Sequence, residues 1–141
     1  MNDIHILART IYGEARGEYY RLDGGLSSLI AIGNVVKNRL KQKTWYGASI
    51  SEVCQKPYQF SCWNPHDPNL SLITTTITDP LFDQCMVVAQ MIIEDRWPDL
   101  TKGCDHYHTT TMDTLPAWAL KAKPVLRIGR HLFYKMSKGG N

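Results

Sequence analysis

Three stretches of this chain carry apolar residues at helical spacing on one side only, and a helix with one apolar stripe must bury it against another element. The first stripe is Ile4, Leu7, Ala8 and Ile11, with Asn2 or Asp3 as its cap. It runs into Gly13-Glu14-Ala15-Arg16-Gly17, where two glycines predict that the helix frays or ends close to Glu14. The second stripe is Leu26, Leu29, Ile30, Gly33, Val36 and Leu40, and Lys37, Arg39 and Lys41 gather toward the end that favours cations. The third helix opens at Asp79-Pro80, a cap followed by proline at the first helical position. It would bury Phe82, Cys85, Met86, Ala89, Ile92 and Ile93, and stop near Trp97-Pro98.

The remaining segments are shorter. Ser49-Ile50-Ser51-Glu52 reads as a capping box opening a short helix that reaches about Gln55. Residues 18–25 are polar and turn-rich, and residues 56–78 read as loop, holding Pro57, Pro65 and Pro68. Residues 103–109 and 126–135 read as extended, with a short helix around Pro116-Ala117-Trp118-Ala119 between them. No internal repeat or interdomain linker interrupts the pattern. The expectation is an α+β protein, mostly helical with a small β element, forming a single domain over residues 1–141.

Charge and composition exclude several classes. The formal net charge is +3, which fits attraction to a polyanionic surface but is too weak and too scattered to argue for nucleic acid. No run approaches the roughly 18 apolar residues of a membrane span, so no stable membrane association is expected. Asp3, His5 and Arg9 break up the N-terminus, so it does not read as a signal peptide and the expected place of synthesis is the cytoplasm. The four cysteines, Cys54, Cys62, Cys85 and Cys104, include no C-x-x-C pair. They read as reduced thiols in or near a core, with a Cys54–Cys62 disulfide as the alternative.

Few residues could carry chemistry. Glu14 follows an apolar helix, and a carboxyl held against apolar neighbours loses solvation, which favours its protonated form. Such a group can protonate a glycosidic oxygen. The competing reading is a surface glutamate paired with Arg9 or Arg16. Glu18, four residues on, would share a helix face with Glu14 if the helix continued. Gly17 argues against that, which leaves Glu18 as a solvated residue or a support for the site. On a strand, Cys104, His106 and His108 would point the same way and offer zinc-ligand types, but three such neighbours crowd one tetrahedral ion. No metal is therefore assigned. Tyr58, Phe60, Trp63, Tyr107 and Trp118 fall in or beside irregular segments, where aromatic faces can stack on sugars and Gln59, Asn64 and His108 can bond hydroxyl or acetamido groups.

The run from Leu7 to Glu18, containing Tyr12-Gly13-Glu14-Ala15-Arg16-Gly17-Glu18, resembles the opening motif of the cell-wall hydrolase family typified by spore cortex-lytic enzymes. Ile32-Gly33-Asn34-Val35-Val36-Lys37-Asn38-Arg39 resembles its second helix. Val53 to Trp63, with Gln59-Phe60-Ser61, is similar to its central loop. His106-Tyr107-His108, Pro116-x-Trp118 and Ile128-Gly129-x-His131-x-Phe133-Tyr134 are similar to its C-terminal signature.

That resemblance implies a lysozyme-like fold related to the soluble lytic transglycosylases. It implies cleavage of the β-1,4 bond between N-acetylmuramic acid and N-acetylglucosamine in peptidoglycan glycan strands. One glutamate, corresponding to Glu14, would first protonate the leaving oxygen and then act as base while the muramyl C6 hydroxyl attacks C1, giving a 1,6-anhydro product. Gln59, Phe60, Tyr107 and His108 match the family's cleft motifs and would contact substrate; the aromatic reading adds Tyr58 and Trp118, and Glu18 and Asn38 are expected to support the site. No cofactor is required, and a monomer is expected. A muramidase using water is the nearest alternative; a zinc amidase or a non-catalytic glycan-binding module is more distant. Without an export signal or a separate wall-binding domain, the chain resembles phage endolysins, which reach the wall after release from the host cytoplasm. The stretch Tyr19 to Gly25 is longer than the family pattern suggests.

Overall fold

The first helix does not stop at its glycines. In the computed structural model, which describes residues 1–137, α1 spans Asp3–Tyr19 without a break, and the Asn2 side chain caps it by accepting from the His5 N–H (3.0 Å). Each interior glycine costs a helix about 1 kcal/mol against alanine. Here burial offsets that cost: Leu7, Ala8, Ile11 and Ala15 are fully enclosed. Gly13 has a packing reason as well. A Cβ at that position would lie 2.7 Å from the Cys62 Cβ, so only glycine lets the segment carrying Cys62 press against the helix.

Helix α2 (Leu26–Lys41) and helix α5 (Leu81–Ile93) pack with α1 to form the core, close to their expected positions. The Lys37 ammonium donates to the Ile92 and Ile93 carbonyls (3.3 and 3.2 Å), satisfying the last turn of α5. That helix ends at Ile93 rather than near Trp97, because Asp95 adopts a left-handed conformation just beyond it (φ 56°). Helix α3 (Ile50–Gln55) begins where the capping box predicted, with the Ser49 hydroxyl accepting from the Glu52 N–H. The expected loop of residues 56–78 is partly helical. It contains a 3₁₀ turn (Ser61–Trp63) and a short helix α4 (Leu70–Thr74), whose Ile73 is buried in the core.

The expected extended segment 126–135 is two strands. Strand β2 (Leu126–Ile128) turns at Gly129 (φ 57°) into β3 (His131–Tyr134), and β1 (His106–Thr109) pairs on the far side of β3. The sheet order is β1-β3-β2, all antiparallel, with Tyr107 opposite Phe133. The predicted short helix is a 3₁₀ turn at Ala117–Ala119. Helices thus form the bulk and a three-stranded sheet closes one side, as the α+β reading anticipated. All four cysteines are buried and unpaired. No described helix is long and apolar enough to cross a membrane.

The carboxylate of Asp105 joins the sheet to the helices. It accepts from the Gln42 amide (2.7 Å) and from the Met136 and Ser137 N–H groups (2.8 and 3.0 Å), and meets His106 Nδ1 at 3.0 Å. Burial alone would raise its pKa. Those donors outweigh burial and hold the carboxyl well below its ordinary range. Asp99 is held low in the same way, by Asn38, Thr101 and the Gly103 N–H.

Two outcomes follow. Gly13→Ala should destabilise by about 1–3 kcal/mol through overpacking, against the helix preference for alanine, seen as a lower urea midpoint with unchanged slope. Asp99 and Asp105 bind a proton more weakly when folded than when unfolded. Their contribution is therefore complete above the unfolded carboxyl range and fades as pH falls below about 4. Thermal midpoints should drop steadily on acidification, and Asp105→Asn should flatten that drop while lowering stability at pH 7.

Candidate active site

Because α1 continues, Glu14 sits inside the helix rather than at its end, and its side chain enters a cleft between α1, the 61–63 turn and β1. One oxygen, Oε2, accepts from the Ser61 hydroxyl (3.1 Å) and the Cys62 backbone N–H (3.0 Å). The other, Oε1, accepts from the Tyr107 hydroxyl. Burial, then the nearby Glu14 charge, push the Tyr107 phenol well above its usual range, so it remains a protonated donor. Neither arginine considered as a partner reaches Glu14. Arg9 donates to the Ile73 and Thr75 carbonyls, and Arg16 donates to the Asn69 side chain (2.5 Å).

The cleft encloses about 470 Å³. Tyr58, Gln59, Tyr107, His108 and Trp118 line it, as do Arg39, Ser61, Asn69 and His131, which were not assigned from sequence. Glu14 is the sole carboxylate among the lining residues. A larger hollow, about 780 Å³, lies near the end of α2 between Leu40 and Glu52. Its ionisable groups, Lys41, Lys43 and Glu52, are all at least partly exposed, and it contains none of the candidate residues.

The expected substrate contacts divide by burial. Tyr58 is 80% exposed, with a left-handed backbone (φ 64°) held by its N–H to the Asn64 side chain (3.2 Å). Trp118 packs edge-on against Tyr134 and tilts over His106 and His108. Gln59 accepts from Arg39 (3.3 Å), and that buried guanidinium lies over the Phe60 and Tyr46 rings. Phe60 is a correction: its ring is fully enclosed beneath the cleft, so it cannot stack on a sugar. His108 lines the cleft, but both ring nitrogens are engaged. Nδ1 donates to the Thr109 carbonyl (2.9 Å), which leaves Nε2 to accept from the Tyr134 hydroxyl (2.8 Å).

The two supporting residues behave differently. Asn38 stays outside the cleft lining: it bonds Asp99 and the Cys104 carbonyl (2.8 and 2.9 Å) and braces the loop before β1, the strand that carries Tyr107. Glu18 is neither solvated nor in the cleft. It is buried in the last turn of α1, where it accepts from the Arg130 backbone N–H (2.6 Å) and guanidinium (2.7 Å). Burial alone would raise its carboxyl pKa, but the Arg130 bonds and charge hold it below the usual range. The Cys104, His106 and His108 grouping also dissolves. Cys104 precedes the strand, His106 is bonded to Asp105, and His108 is engaged as above. Among the described residues no three His, Cys, Asp or Glu side chains converge as a ligand set.

The unassigned cleft residues had weak signals of their own. Arg39, Ser61 and His131 all stand inside the family-like blocks, but none has a periodicity or spacing that separates it from its neighbours. Only the fold brings them to one place.

Comparison with solved structures agrees with this architecture. The chain is similar to the catalytic domain of the SleB protein of Bacillus cereus, at 25% identity over 94% of this chain and 89% of that one, with a TM-score of 0.70. It is also similar in fold to the catalytic domain of the germination-specific lytic transglycosylase SleB of Bacillus anthracis, at 24% identity over 96% and 95% of the two chains, with a TM-score of 0.68. No curated protein matches the sequence. The family model for cell wall hydrolases matches residues 25–134, covering the second helix, the 61–63 turn, the sheet and every donor to Glu14, though not Glu14 itself. With more than three quarters of its length matched, the chain belongs to the cell wall hydrolase family.

Proposed function

We propose that this enzyme is a lytic transglycosylase that cuts the MurNAc-β-1,4-GlcNAc bond of peptidoglycan, with Glu14 as acid and then base. The observation that carries the proposal is the isolation of Glu14. It is the one carboxylate lining the cleft, and three donors converge on it. A hydrolase of the usual two-carboxylate type needs a second carboxyl about 5–10 Å away to act as nucleophile or to activate water. Glu18, the nearest along α1, is buried and occupied by Arg130.

An intramolecular nucleophile removes that need. Glu14 gives its proton to the leaving O4 as the C1–O4 bond breaks. The resulting carboxylate takes the proton of the C6 hydroxyl as the O6–C1 bond forms, so Glu14 ends protonated and ready to repeat. The donors from Ser61, Cys62 and Tyr107 fix the carboxyl in place for both steps. No cofactor enters this sequence. Tyr58 fits a sugar platform, because its left-handed backbone costs about 1–3 kcal/mol and its exposed ring gains nothing from burial. The Bacillus anthracis protein, which this chain resembles in fold, is a germination-specific lytic transglycosylase.

The test is mass spectrometry of soluble products from purified peptidoglycan. Muropeptides ending in 1,6-anhydro-muramic acid are expected from the wild type. Glu14→Gln should lower the rate by roughly 10²- to 10⁴-fold while leaving the melting curve nearly unchanged. Products one water heavier would mean a muramidase, and wild-type lysis by Glu14→Gln would overturn the assignment of that residue.

A further inference from the structure

His131 heads β3 and lines the cleft, yet it is only 7% exposed. Its ring centroid lies 5.0 Å from that of Tyr107, whose hydroxyl bonds Glu14, and His131 and Glu14 line the same cleft. Nδ1 is sealed from solvent with no hydrogen-bond partner, and among the described residues Nε2 has none either. The contrast with His108 is plain, since both of its nitrogens are satisfied within the protein. His131 thus lines the cleft with neither ring nitrogen engaged by a described residue, which leaves its N–H available to a bound ligand.

The hydrogen-bonding state of this ring follows from its surroundings. Burial, the largest influence, lowers the pKa of His131, and a neutral imidazole carries one N–H. Unpaired buried donors are rarer than unpaired acceptors, which favours a bare Nδ1 and a proton on Nε2. The ring then carries one free donor, on a residue that lines the cleft.

The turn that delivers His131 is built onto α1. Glu18 accepts from the Arg130 backbone N–H and guanidinium, and its Oε1 lies where a Cβ at Gly129 would come within 2.6 Å. Only glycine allows the carboxylate so close, and the left-handed backbone there (φ 57°) also favours it. Glu14 and Glu18 are one helical turn apart, so the helix that carries the acid also sets the height of His131 beside it.

We propose that His131 is the substrate contact that holds the attacking C6 hydroxyl of the muramyl sugar against Glu14, and that Glu18 is the positioning residue that keeps it there. This rests on the transglycosylase reading above. The Nε2–H donates to the C6 oxygen and turns the hydroxyl proton toward the Glu14 carboxylate. That proton passes to Glu14 as the O6–C1 bond forms, and His131 neither gains nor loses one.

The experiment compares His131→Phe, His131→Gln and Glu18→Gln with wild type, reading kcat, KM, melting temperature and the ratio of anhydro to reducing-end muropeptides. His131→Phe should lower kcat by roughly 10- to 100-fold and release reducing-end products that the wild type does not, because water enters where the C6 hydroxyl is no longer held. His131→Gln, which retains an N–H at similar reach, should recover part of both losses. Glu18→Gln should shift the product ratio in the same direction with Glu14 intact, and an unchanged ratio would overturn its positioning role. If the Phe variant does not fold, His131→Asn, polar but too short to reach, carries the same expectation. Wild-type kcat in the folded Phe or Asn variant, or equal losses in all His131 variants with purely anhydro products, would overturn the proposal for His131 alone. A wild type that yields only reducing-end products would overturn it together with the reading on which it rests.

Discussion

A carboxylate withdrawn from water must find a charged or strongly donating partner, and for Glu18 that partner is the turn between β2 and β3. Much of the molecule depends on this contact. It fastens the hairpin to α1, and β3 in turn carries β1 by the pairing of Tyr107 with Phe133. The hydroxyl that reaches Glu14 therefore arrives through a chain of contacts that begins one turn further along the same helix. With donor and acceptor referred to one rigid element, small movements of the sheet relative to the helices are resisted at the site itself.

The other side of Glu14 is fixed by packing rather than charge. The 61–63 turn can donate to the carboxylate because Cys62 lies directly against Gly13. Nearby, the Trp63 indole N–H donates to the Thr10 hydroxyl (2.9 Å), and that hydroxyl bonds back to the Ile6 carbonyl. A threonine, a glycine and a glutamate within little more than one turn of α1 thus receive one short segment, and its backbone N–H donates to the Glu14 carboxylate.

The helices were legible because their stripes are local: residues three and four apart report a face without knowledge of its partner. The Ser49 and Asp79 signals worked for the same reason, as each cap bonds within its own first turn. Glu14 could be singled out by its place after an apolar stripe. The reading failed where distant residues decide. Gly13 and Gly17 look like helix breakers until Cys62 and Arg130 are set beside them, and Glu18 looks solvated until the hairpin is. Phe60 shares a block with true cleft residues yet points inward, since a loop has no period to separate its faces. Arg39 reads from sequence only as a helix-end cation and His131 has no periodicity to mark it, and only the fold brings both to the cleft that holds the glutamate.

Family membership and the reactive geometry come from separate parts of the chain. The cell wall hydrolase match begins at residue 25, after α1 has ended, and contains Ser61, Cys62, Tyr107 and His131. Glu14 lies outside that match, and in the structure it is the point on which three of those residues converge. Three donors would be a costly arrangement around an incidental surface carboxylate, because each must be held in place by its own element. Helix, turn and strand all terminate on one carboxyl, so three separate elements fix its position, which suits the acid and base role proposed for it.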